Sequence, residues 1–337
     1  MATPAGPTPD LVFGTLFAYQ RTAALKTGIA LEVFTAIDEG AATAADIAKR
    51  SNASERGVRI LCDYLTICGL LTKDGARYGL TADSAFFLSK KSQAYLGTTC
   101  DFLTSPDIMR NFDDLTATVR NGTVAPQGNT VAGHEQSHWV LFARAMMPMM
   151  MPAAMGIADI LNIGAAGPVK ILDIAAGHGA FGIVLAARNP DAQVVAVDWP
   201  GVLSVASENA DKMGVAHRYR TLPGDAFSVD YGAGYDIALL TNFLHHYDAP
   251  TCVTLLKKVA AALKPGGRAV ILEFVPNEDR VTPPMAASFS LTMLAGTPAG
   301  DAYTLSQLTQ MAADAGFSGG CSAHPLPMPE TVVVATK

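Results

Sequence analysis

The chain has 337 residues, of which 50% are hydrophobic and 16% are charged, and its formal net charge at pH 7 is −6. This length predicts two domains, and the composition allows a large buried core together with an apolar oligomer interface. An acidic, evenly mixed chain offers no electrostatic attraction to nucleic acid, which we therefore do not expect as a partner.

Cysteine usage and the apolar segments indicate a cytoplasmic protein. The five cysteines include no Cys-x-x-Cys pair, which argues against a disulfide framework. The N-terminal stretch MATPAGPTPD lacks the basic and apolar regions of a signal peptide. The longest apolar stretch, WVLFARAMMPMMMPAAMGIADIL, contains Arg144 and two prolines and predicts a buried helix rather than a membrane span.

Residues 1–100 predict a mainly helical domain that ends in a hairpin. Two short helices are expected in TAADIAKRS and SERGVRILCDYLTICGL, the second capped by Ser54. Asp74 and Gly75 lie between two short β-prone runs, which is typical of a hairpin turn. This order is that of a winged-helix module. Residues 41–90 hold seven Lys and Arg against five Asp and Glu. The weak positive charge favours dimerisation over DNA binding.

Residues 101–165 predict a helical linker with polar loops such as NGTVAPQGNT. Its methionine-rich segment, 145–155, predicts a helix broken near Pro148 and Pro152. Methionine is flexible and suits irregular apolar pockets, although plain core filling explains the segment equally well.

Residues 166–337 predict an α/β domain. Short β-prone runs (VKILDI, QVVAVD, YDIALL, RAVILEFV and TVVVATK) alternate with helical segments. This alternation predicts a mostly parallel sheet flanked by helices, with a ligand beyond the carboxyl ends of its strands.

The stretch ILDIAAGHGAFG runs from a buried strand into a glycine loop. Gly177, Gly179 and Gly182 spell the dinucleotide fingerprint, which alone is also compatible with a tight turn that binds nothing. Asp173, inside the strand, suits a cationic ligand better than a pyrophosphate. Ala175 stands where a further glycine would be expected, a modest change if its φ angle is negative.

Acidic residues follow the next two strands. Asp198 ends QVVAVD, where a carboxylate can accept hydrogen bonds from both ribose hydroxyls. In LPGDAF, Asp225 can accept a hydrogen bond from an adenine amino group and Phe227 can cover the adenine face. A simple turn at Asp225 remains the alternative.

The stretch NFLHHYD places His245 at the carboxyl end of the strand YDIALL. A histidine that titrates near neutrality can take a proton from a hydroxyl group, so His245 is a candidate general base.

Taken in order, DIAAGHG, DWP, GDAF, LHHY and KPGG resemble the motifs of class I S-adenosylmethionine (SAM)-dependent O-methyltransferases. The resemblance is to the family of plant caffeate and flavonoid, animal hydroxyindole and bacterial natural-product enzymes, and it covers nearly the whole chain. It implies a Rossmann-like catalytic domain with a seven-stranded, mostly parallel sheet and helices on both faces. It also implies an N-terminal winged-helix dimerisation domain, a homodimer and a small-molecule acceptor.

The resemblance also assigns residues to roles. His245 would be the general base and Glu273 the acid that orients it, although an ordinary salt bridge would also explain Glu273. The residues implied to bind SAM are Asp173, Ala175, Gly177, Gly179, Asp198, Trp199, Gly224, Asp225, Ala226, Phe227 and Asn242. The residues implied to line the acceptor pocket are Met146, Met150, His246, Phe289 and Met293.

Two positions depart from the family pattern. Leu305 stands where a second acidic partner of the base is expected, and His246 replaces an aspartate. Alternatively, His246 faces solvent or a dimer partner. These departures leave open C-methylation or another SAM-dependent reaction. We expect no metal site, because no carboxylate cluster has suitable spacing. A NAD-dependent dehydrogenase is disfavoured by Asp173 and GDAF.

Overall fold

The computed structural model describes residues 6–124 and 136–337. Most of the polar loop predicted at 121–130 lies outside these ranges. The chain forms two compact units, which divide between Thr104 and Ser105. The division into residues 1–100, 101–165 and 166–337 remains a prediction.

The N-terminal unit consists of helices and one hairpin. Thr43 caps α4 (Ala44–Ser51) and Ser54 caps α5 (Glu55–Ile67) by accepting hydrogen bonds from backbone N–H groups, so the predicted cap at Ser54 is confirmed. The two-residue turn at Gly75, whose φ is +55°, joins β1 (Leu71–Asp74) to β2 (Arg77–Leu80) and confirms the predicted hairpin. The elements are α1 (Asp10–Leu16), α2 (Ala18–Ala30), α3 (Val33–Asp38), α4 (Ala44–Ser51), α5 (Glu55–Ile67), β1 (Leu71–Asp74), β2 (Arg77–Leu80), α6 (Ala82–Phe87) and α7 (Thr99–Leu103).

The apolar side chains of the N-terminal unit are unevenly distributed. Phe34, Ile47 and Leu65 are completely buried in its core. By contrast, α1 buries none of its own residues, and Leu11 and Leu16 are 82% and 61% exposed. The helix-helix-hairpin order agrees with the sequence, while assignment to the winged-helix fold remains a prediction.

The C-terminal unit contains a seven-stranded sheet and helices on both of its faces, as predicted. Its elements are α8 (Pro106–Arg110), α9 (Leu115–Asn121), α10 (Gln136–Ile160), β3 (Lys170–Ile174), α11 (Ala180–Arg188), β4 (Gln193–Asp198), α12 (Pro200–Lys212), β5 (Tyr219–Pro223), β6 (Tyr235–Thr241), α13 (Ala249–Ala262), β7 (Leu263–Phe274), α14 (Pro284–Gly296), α15 (Leu305–Asp314), β8 (Cys321–Pro325) and β9 (Glu330–Thr336).

The strand order is β5-β4-β3-β6-β7-β9-β8, and β9 pairs antiparallel with both β7 and β8. Leu172 and Ile174 of β3 join a core cluster with residues of α13 and α15. Asp173 points to the other face, where its carboxylate accepts a hydrogen bond from Gly182 of α11. The alternation of side chains along β3 therefore gives the sheet a helical layer on each face.

The predicted break in the methionine-rich helix is wrong, because Pro148 and Pro152 both lie inside the continuous helix α10. Each proline removes one backbone N–H donor, but α10 packs against α11 and α12, and this tertiary packing maintains the helix. By length and composition α10 is also the one helix of the described residues that could cross a membrane. Its packing instead makes it part of the C-terminal unit.

Candidate active site

The chain reverses its direction across the sheet between β3 and β6. From β3 it runs outward through β4 to β5, and then returns to place β6 on the other side of β3. The connections from these neighbouring parallel strands lead in opposite directions, and this leaves a crevice beyond the carboxyl ends of the strands. Ligands of α/β proteins bind in such a crevice. The glycine loop follows β3 and the turn containing His245 follows β6, so the two meet at this crevice.

Left-handed backbone angles shape the glycine loop. Gly177 and Gly179 have φ angles of +56° and +76°. Ala175 has a φ of +53°, so the condition under which alanine would be a modest change at this position is not met. An alanine in this region costs about 1–2 kcal/mol, because its Cβ crowds the following carbonyl oxygen.

Asp198 connects the end of β4 to the glycine loop. Its Oδ2 accepts a hydrogen bond of 2.8 Å from the Gly177 N–H, and its Oδ1 accepts one of 2.7 Å from the Trp199 N–H. Burial raises the pKa of Asp198 to about 6, although the two N–H donors oppose this shift. Each carboxylate oxygen keeps a further lone pair, which suits the predicted contact with ribose hydroxyls.

Asp173 lies completely buried at the base of the same loop. Its Oδ2 accepts a hydrogen bond of 3.1 Å from the Gly182 N–H, while its Oδ1 has no hydrogen-bond partner among the described residues. Burial raises its pKa to about 8, although the hydrogen bond from Gly182 opposes this shift. The structure therefore gives Asp173 a role in supporting the loop, and its direct contact with a cation remains a prediction.

The turn after β5 brings GDAF to the same edge of the sheet. Gly224 donates a backbone hydrogen bond of 3.0 Å to the Asp198 carbonyl, and Asp225 accepts one of 2.9 Å from the Phe227 N–H. The Phe227 ring lies 4.9 Å from that of Tyr247, measured between centroids. Ala226 is buried within this turn. The GDAF turn therefore adjoins the turn that carries His245, through the contact of Phe227 with Tyr247.

The carboxylate of Glu273 binds the turn formed by residues 243–247, which carries His245 and is called the histidine turn below. Glu273 Oε1 accepts hydrogen bonds from the backbone N–H groups of Phe243, Leu244 and His245, at 3.1, 2.9 and 3.3 Å. Its Oε2 lies 2.5 Å from His245 Nδ1. The side chains of His245 and Glu273 are only 5% and 2% exposed. With Nδ1–H donated to the carboxylate, the lone pair of His245 Nε2 remains available to accept a proton.

His246 packs beside this pair and is half-buried. Its ring centroid lies 4.3 Å from that of His245 and 5.5 Å from that of Trp139. Its Nδ1 is buried and has no hydrogen-bond partner among the described residues. Burial lowers the pKa of His246 well below its ordinary value, and the neighbouring His245 adds to the effect. The imidazole is therefore neutral near pH 7.

Asn242, just after β6, contacts Met150, one of the residues predicted to line the acceptor pocket. Its φ is +53°, and its Nδ2 lies 3.4 Å from the sulfur of Met150. Its Oδ1 is buried without a hydrogen-bond partner among the described residues. Asparagine tolerates the left-handed region better than most residues, which accounts for its position at this turn.

Side chains from α10 and α14 form the apolar surfaces at this site. Met146 and Met150 of α10 are each 4% exposed, and Met293 of α14 is 6% exposed. The Phe289 ring stacks on that of Phe274 at a centroid distance of 4.0 Å and meets the His245 ring edge-on at 4.9 Å. Phe289 therefore covers His245 directly, while a pocket-lining role for the three methionines remains a prediction.

Leu305 does not supply anything in place of the second acid. It begins α15 and is 39% exposed. The backbone carbonyl of His245 is instead held by the Asp301 N–H, at 3.0 Å. No sequence pattern indicated this contact.

Two aromatic residues near the glycine loop were missed in the sequence. The Phe142 ring stacks on that of His178 at a centroid distance of 5.9 Å, and Trp139 meets both Phe142 and His246. Their spacing of three residues on α10 was the available signal, because it places both on one helix face. Within residues 6–124 and 136–337, no group of three or more His, Cys, Asp or Glu side chains could hold a metal ion.

The residues present suit SAM as a ligand. The glycine loop offers a close backbone approach, Asp198 offers acceptors for ribose hydroxyls, and Asn242 offers an unpaired buried oxygen. When bound, SAM supplies an electrophilic methyl group on a positively charged sulfur.

Comparisons with known proteins agree with this arrangement. A family model described as an O-methyltransferase domain matches residues 141–318, and one described as an O-methyltransferase dimerisation domain matches residues 13–90. The 3-hydroxy-5-methyl-1-naphthoate 3-O-methyltransferase of Streptomyces sahachiroi is 30% identical over 316 residues, which cover 92% of this chain and 88% of the relative.

Two solved structures share the fold. A candidate O-methyltransferase from Nostoc punctiforme PCC 73102 is 48% identical with a TM-score of 0.93, over 99% of this chain and 100% of the other. Human N-acetylserotonin methyltransferase, solved in complex with SAM, has a TM-score of 0.85 at 21% identity, over 100% of this chain and 99% of the other.

Proposed function

Because the chain belongs to the SAM-dependent O-methyltransferase family, we propose that it methylates a hydroxyl group of a small, mostly apolar aromatic acceptor with His245 as general base. The observation that carries this proposal is the buried contact of 2.5 Å between His245 Nδ1 and Glu273 Oε2. The NAD-dependent dehydrogenase alternative is set aside by the family assignment.

In the proposed reaction, His245 Nε2 removes the proton from the acceptor hydroxyl. The acceptor oxygen then forms a bond to the methyl carbon while the bond between that carbon and sulfur breaks, which leaves S-adenosylhomocysteine. A free phenol has a pKa of roughly 10, so removal of its proton strengthens it as a nucleophile. The Glu273 carboxylate stabilises the imidazolium that forms.

The acceptor class follows from the surfaces around the base. Phe289 covers His245 on one side, and His246 and Trp139 add aromatic surface nearby. Aromatic rings prefer such stacked and edge-on partners, which orient a flat acceptor. The name of the Streptomyces sahachiroi relative, a naphthoate O-methyltransferase, supports a bicyclic aromatic acceptor.

We further propose that the chain is a homodimer formed through its N-terminal unit. The dimerisation model covers residues 13–90. Helix α1 exposes Leu11, Val12, Phe13 and Leu16 by 53–82% and buries none of them. A helix with this much exposed apolar surface requires a covering partner, and a second copy fits the family assignment.

The decisive experiment combines mass spectrometry with a histidine substitution. Wild type and His245→Ala are incubated with methyl-labelled SAM and a panel of phenols, catechols, flavonoids, hydroxyindoles and hydroxynaphthoates. We expect labelled methyl ethers from wild type alone, with equal SAM affinity for both proteins by calorimetry. Product from both proteins would place the base elsewhere, and a methyl group bonded to carbon would contradict O-methylation.

A further inference from the structure

His245 is held from two directions by different parts of the chain. Glu273, at the end of β7, binds its side chain and its backbone N–H. From the other side, the Asp301 N–H donates a hydrogen bond of 3.0 Å to the His245 carbonyl. The second contact belongs to residues 300–307, which lead from α14 into α15. These residues are called the support segment below.

The support segment packs too closely against the histidine turn to move without disturbing it. A Cβ added to Gly300 would lie 2.2 Å from the His245 carbonyl oxygen and 2.5 Å from Thr297 Oγ1. The Tyr303 hydroxyl donates a hydrogen bond to the Tyr247 carbonyl, just beyond the turn. A displacement of the support segment would therefore displace the backbone of His245.

One guanidinium group fastens the support segment at three points. Arg280 Nη1 donates to Asp301 Oδ2 at 3.0 Å and to the Ala302 carbonyl at 2.9 Å. Its Nη2 donates to Gln307 Oε1 at 2.7 Å. The planar guanidinium fits such a fixed set of acceptors, whereas a lysine ammonium could satisfy only part of it.

Arg280 is itself well anchored. It lies in the loop that follows β7, the strand that ends beside Glu273. Within this loop the Asn277 N–H donates to the Thr282 carbonyl at 2.7 Å, and Asp279 Oδ1 accepts from the N–H groups of Val281 and Thr282 at 2.9 Å. Arg280 has a φ of +61°, uncommon for arginine, which its three side-chain contacts help to maintain.

We propose that Arg280 is a positioning residue for methyl transfer, which acts by fastening the support segment against the backbone of His245. This inference rests on the proposed role of His245 as base. It also accounts for the absence of a second carboxylate at Leu305. The hydrogen bond from the Asp301 N–H to the His245 carbonyl, together with the Arg280 contacts that hold Asp301, is called the clamp below. The clamp takes over part of the orienting task that a second carboxylate would perform. Arg280 itself does not touch the imidazole, so its effect is transmitted through Asp301 and Gly300.

The test uses two substitutions in the full-length chain that disturb the clamp independently. Arg280→Gly removes the guanidinium while glycine accepts the φ of +61°. Gly300→Ala keeps Arg280 but adds a methyl group against the His245 carbonyl. The controls are Arg188→Ala, which loses an exposed contact of 2.9 Å with Asp159, and Gly164→Ala, whose new methyl would make an ordinary contact of 3.5 Å.

The measured quantities are kcat and KM with the panel acceptor that wild type methylates fastest, the SAM dissociation constant, and hydrogen–deuterium exchange of residues 243–247. Because small misplacements of reacting groups lower rates strongly, we expect kcat to fall about 10- to 100-fold in both variants. SAM affinity should be unchanged, and exchange at residues 243–247 should become faster. Arg280→Lys should recover part of kcat, and both controls should match wild type.

Wild-type kcat and exchange in Arg280→Gly would overturn the proposal, as would equal losses in the two controls. If Arg280→Gly fails to fold, Asp301→Asn is measured instead, because it preserves the size of the side chain and weakens its contact with Arg280. An unchanged kcat in Asp301→Asn would also overturn the proposal. The His245→Ala variant shows which of the two proposals has failed, the role of His245 as base or the role of the clamp. Its full activity would refute the proposed base, whereas its inactivity together with a fully active Arg280→Gly would refute only the clamp.

Discussion

Replacing Glu273 by glutamine should separate its catalytic role from its structural role. The glutamine oxygen can keep the three N–H groups that now bind Oε1. Its NH₂ group would then face His245 Nδ1, the position now held by Oε2 at 2.5 Å. Because two donors cannot bond, His245 would have to carry its proton on Nε2. In that tautomer it cannot accept a proton from the acceptor.

We expect Glu273→Gln to lose most of its kcat but little of its unfolding free energy. A wrong tautomer together with an unstabilised imidazolium lowers kcat by about 10³- to 10⁴-fold, as in Ser-His-Asp sites, which corresponds to about 4–5.5 kcal/mol of activation free energy. Loss of one charge-assisted hydrogen bond costs about 1.5–3 kcal/mol of unfolding free energy, partly offset because no charge is buried. Glu273→Ala, which leaves three N–H groups unpaired, should cost more stability, about 3–5 kcal/mol.

The assay is turnover of labelled SAM, with calorimetric SAM binding and urea denaturation of wild type and both variants. A Glu273→Gln enzyme that keeps wild-type kcat would refute the assignment of the tautomer to Glu273. A Glu273→Ala enzyme with wild-type stability would refute the structural part, since its three backbone donors would have found other partners.

Three further predictions concern the donor site and the dimer. Because burial raises the pKa of Asp198 to about 6, its carboxylate becomes protonated as the pH falls through that value. SAM affinity measured by calorimetry should weaken below about pH 6, and Asp198→Ala should bind weakly without this dependence; a pH-independent wild type would contradict the ribose contact. Because Ala175 has a φ of +53°, Ala175→Gly should raise the unfolding free energy in urea by about 1 kcal/mol, and a loss of stability would refute the strain. Leu16→Asp, on the exposed face of α1, should give monomers by light scattering, whereas Asp10→Asn should leave the dimer intact; a dimeric Leu16→Asp would exclude this face.

The fold was largely predictable because its signals are local. Short β-branched runs separated by helical periods indicate a parallel sheet, and the carboxyl ends of such strands meet at one edge. This reasoning placed Asp198, the glycine loop and His245 at one site without any contact being known. The family assignment then confirmed the SAM-dependent activity.

The features that sequence reasoning missed depend on tertiary packing. The break expected at Pro148 and Pro152 is absent, because packing of α10 overrides local propensity. The φ of Ala175 is set by the turn into α11, which no residue type reveals. The edge-on contact between His246 and Trp139 was not predicted, because the two residues lie far apart in the sequence. The hydrogen bond from the Asp301 N–H to the His245 carbonyl joins two backbone groups, so the side chains of these residues gave no indication of it in the sequence.

The construction of the site from separate segments has a consequence for how new specificities arise. The residues predicted to bind SAM from β3 to the GDAF turn lie in one stretch, 173–227, whereas the surfaces predicted to face the acceptor come mainly from α10 and α14. His245, the proposed base, lies between these groups and is fixed to β7 by Glu273. Single substitutions on α10 and α14 can therefore change the acceptor-facing surface, whereas exchange of either whole helix would also disturb the site, because Phe289 packs on His245 and Phe142 packs on His178 of the glycine loop. New acceptor preferences are therefore expected to arise from point substitutions in these two helices rather than from exchange of whole segments.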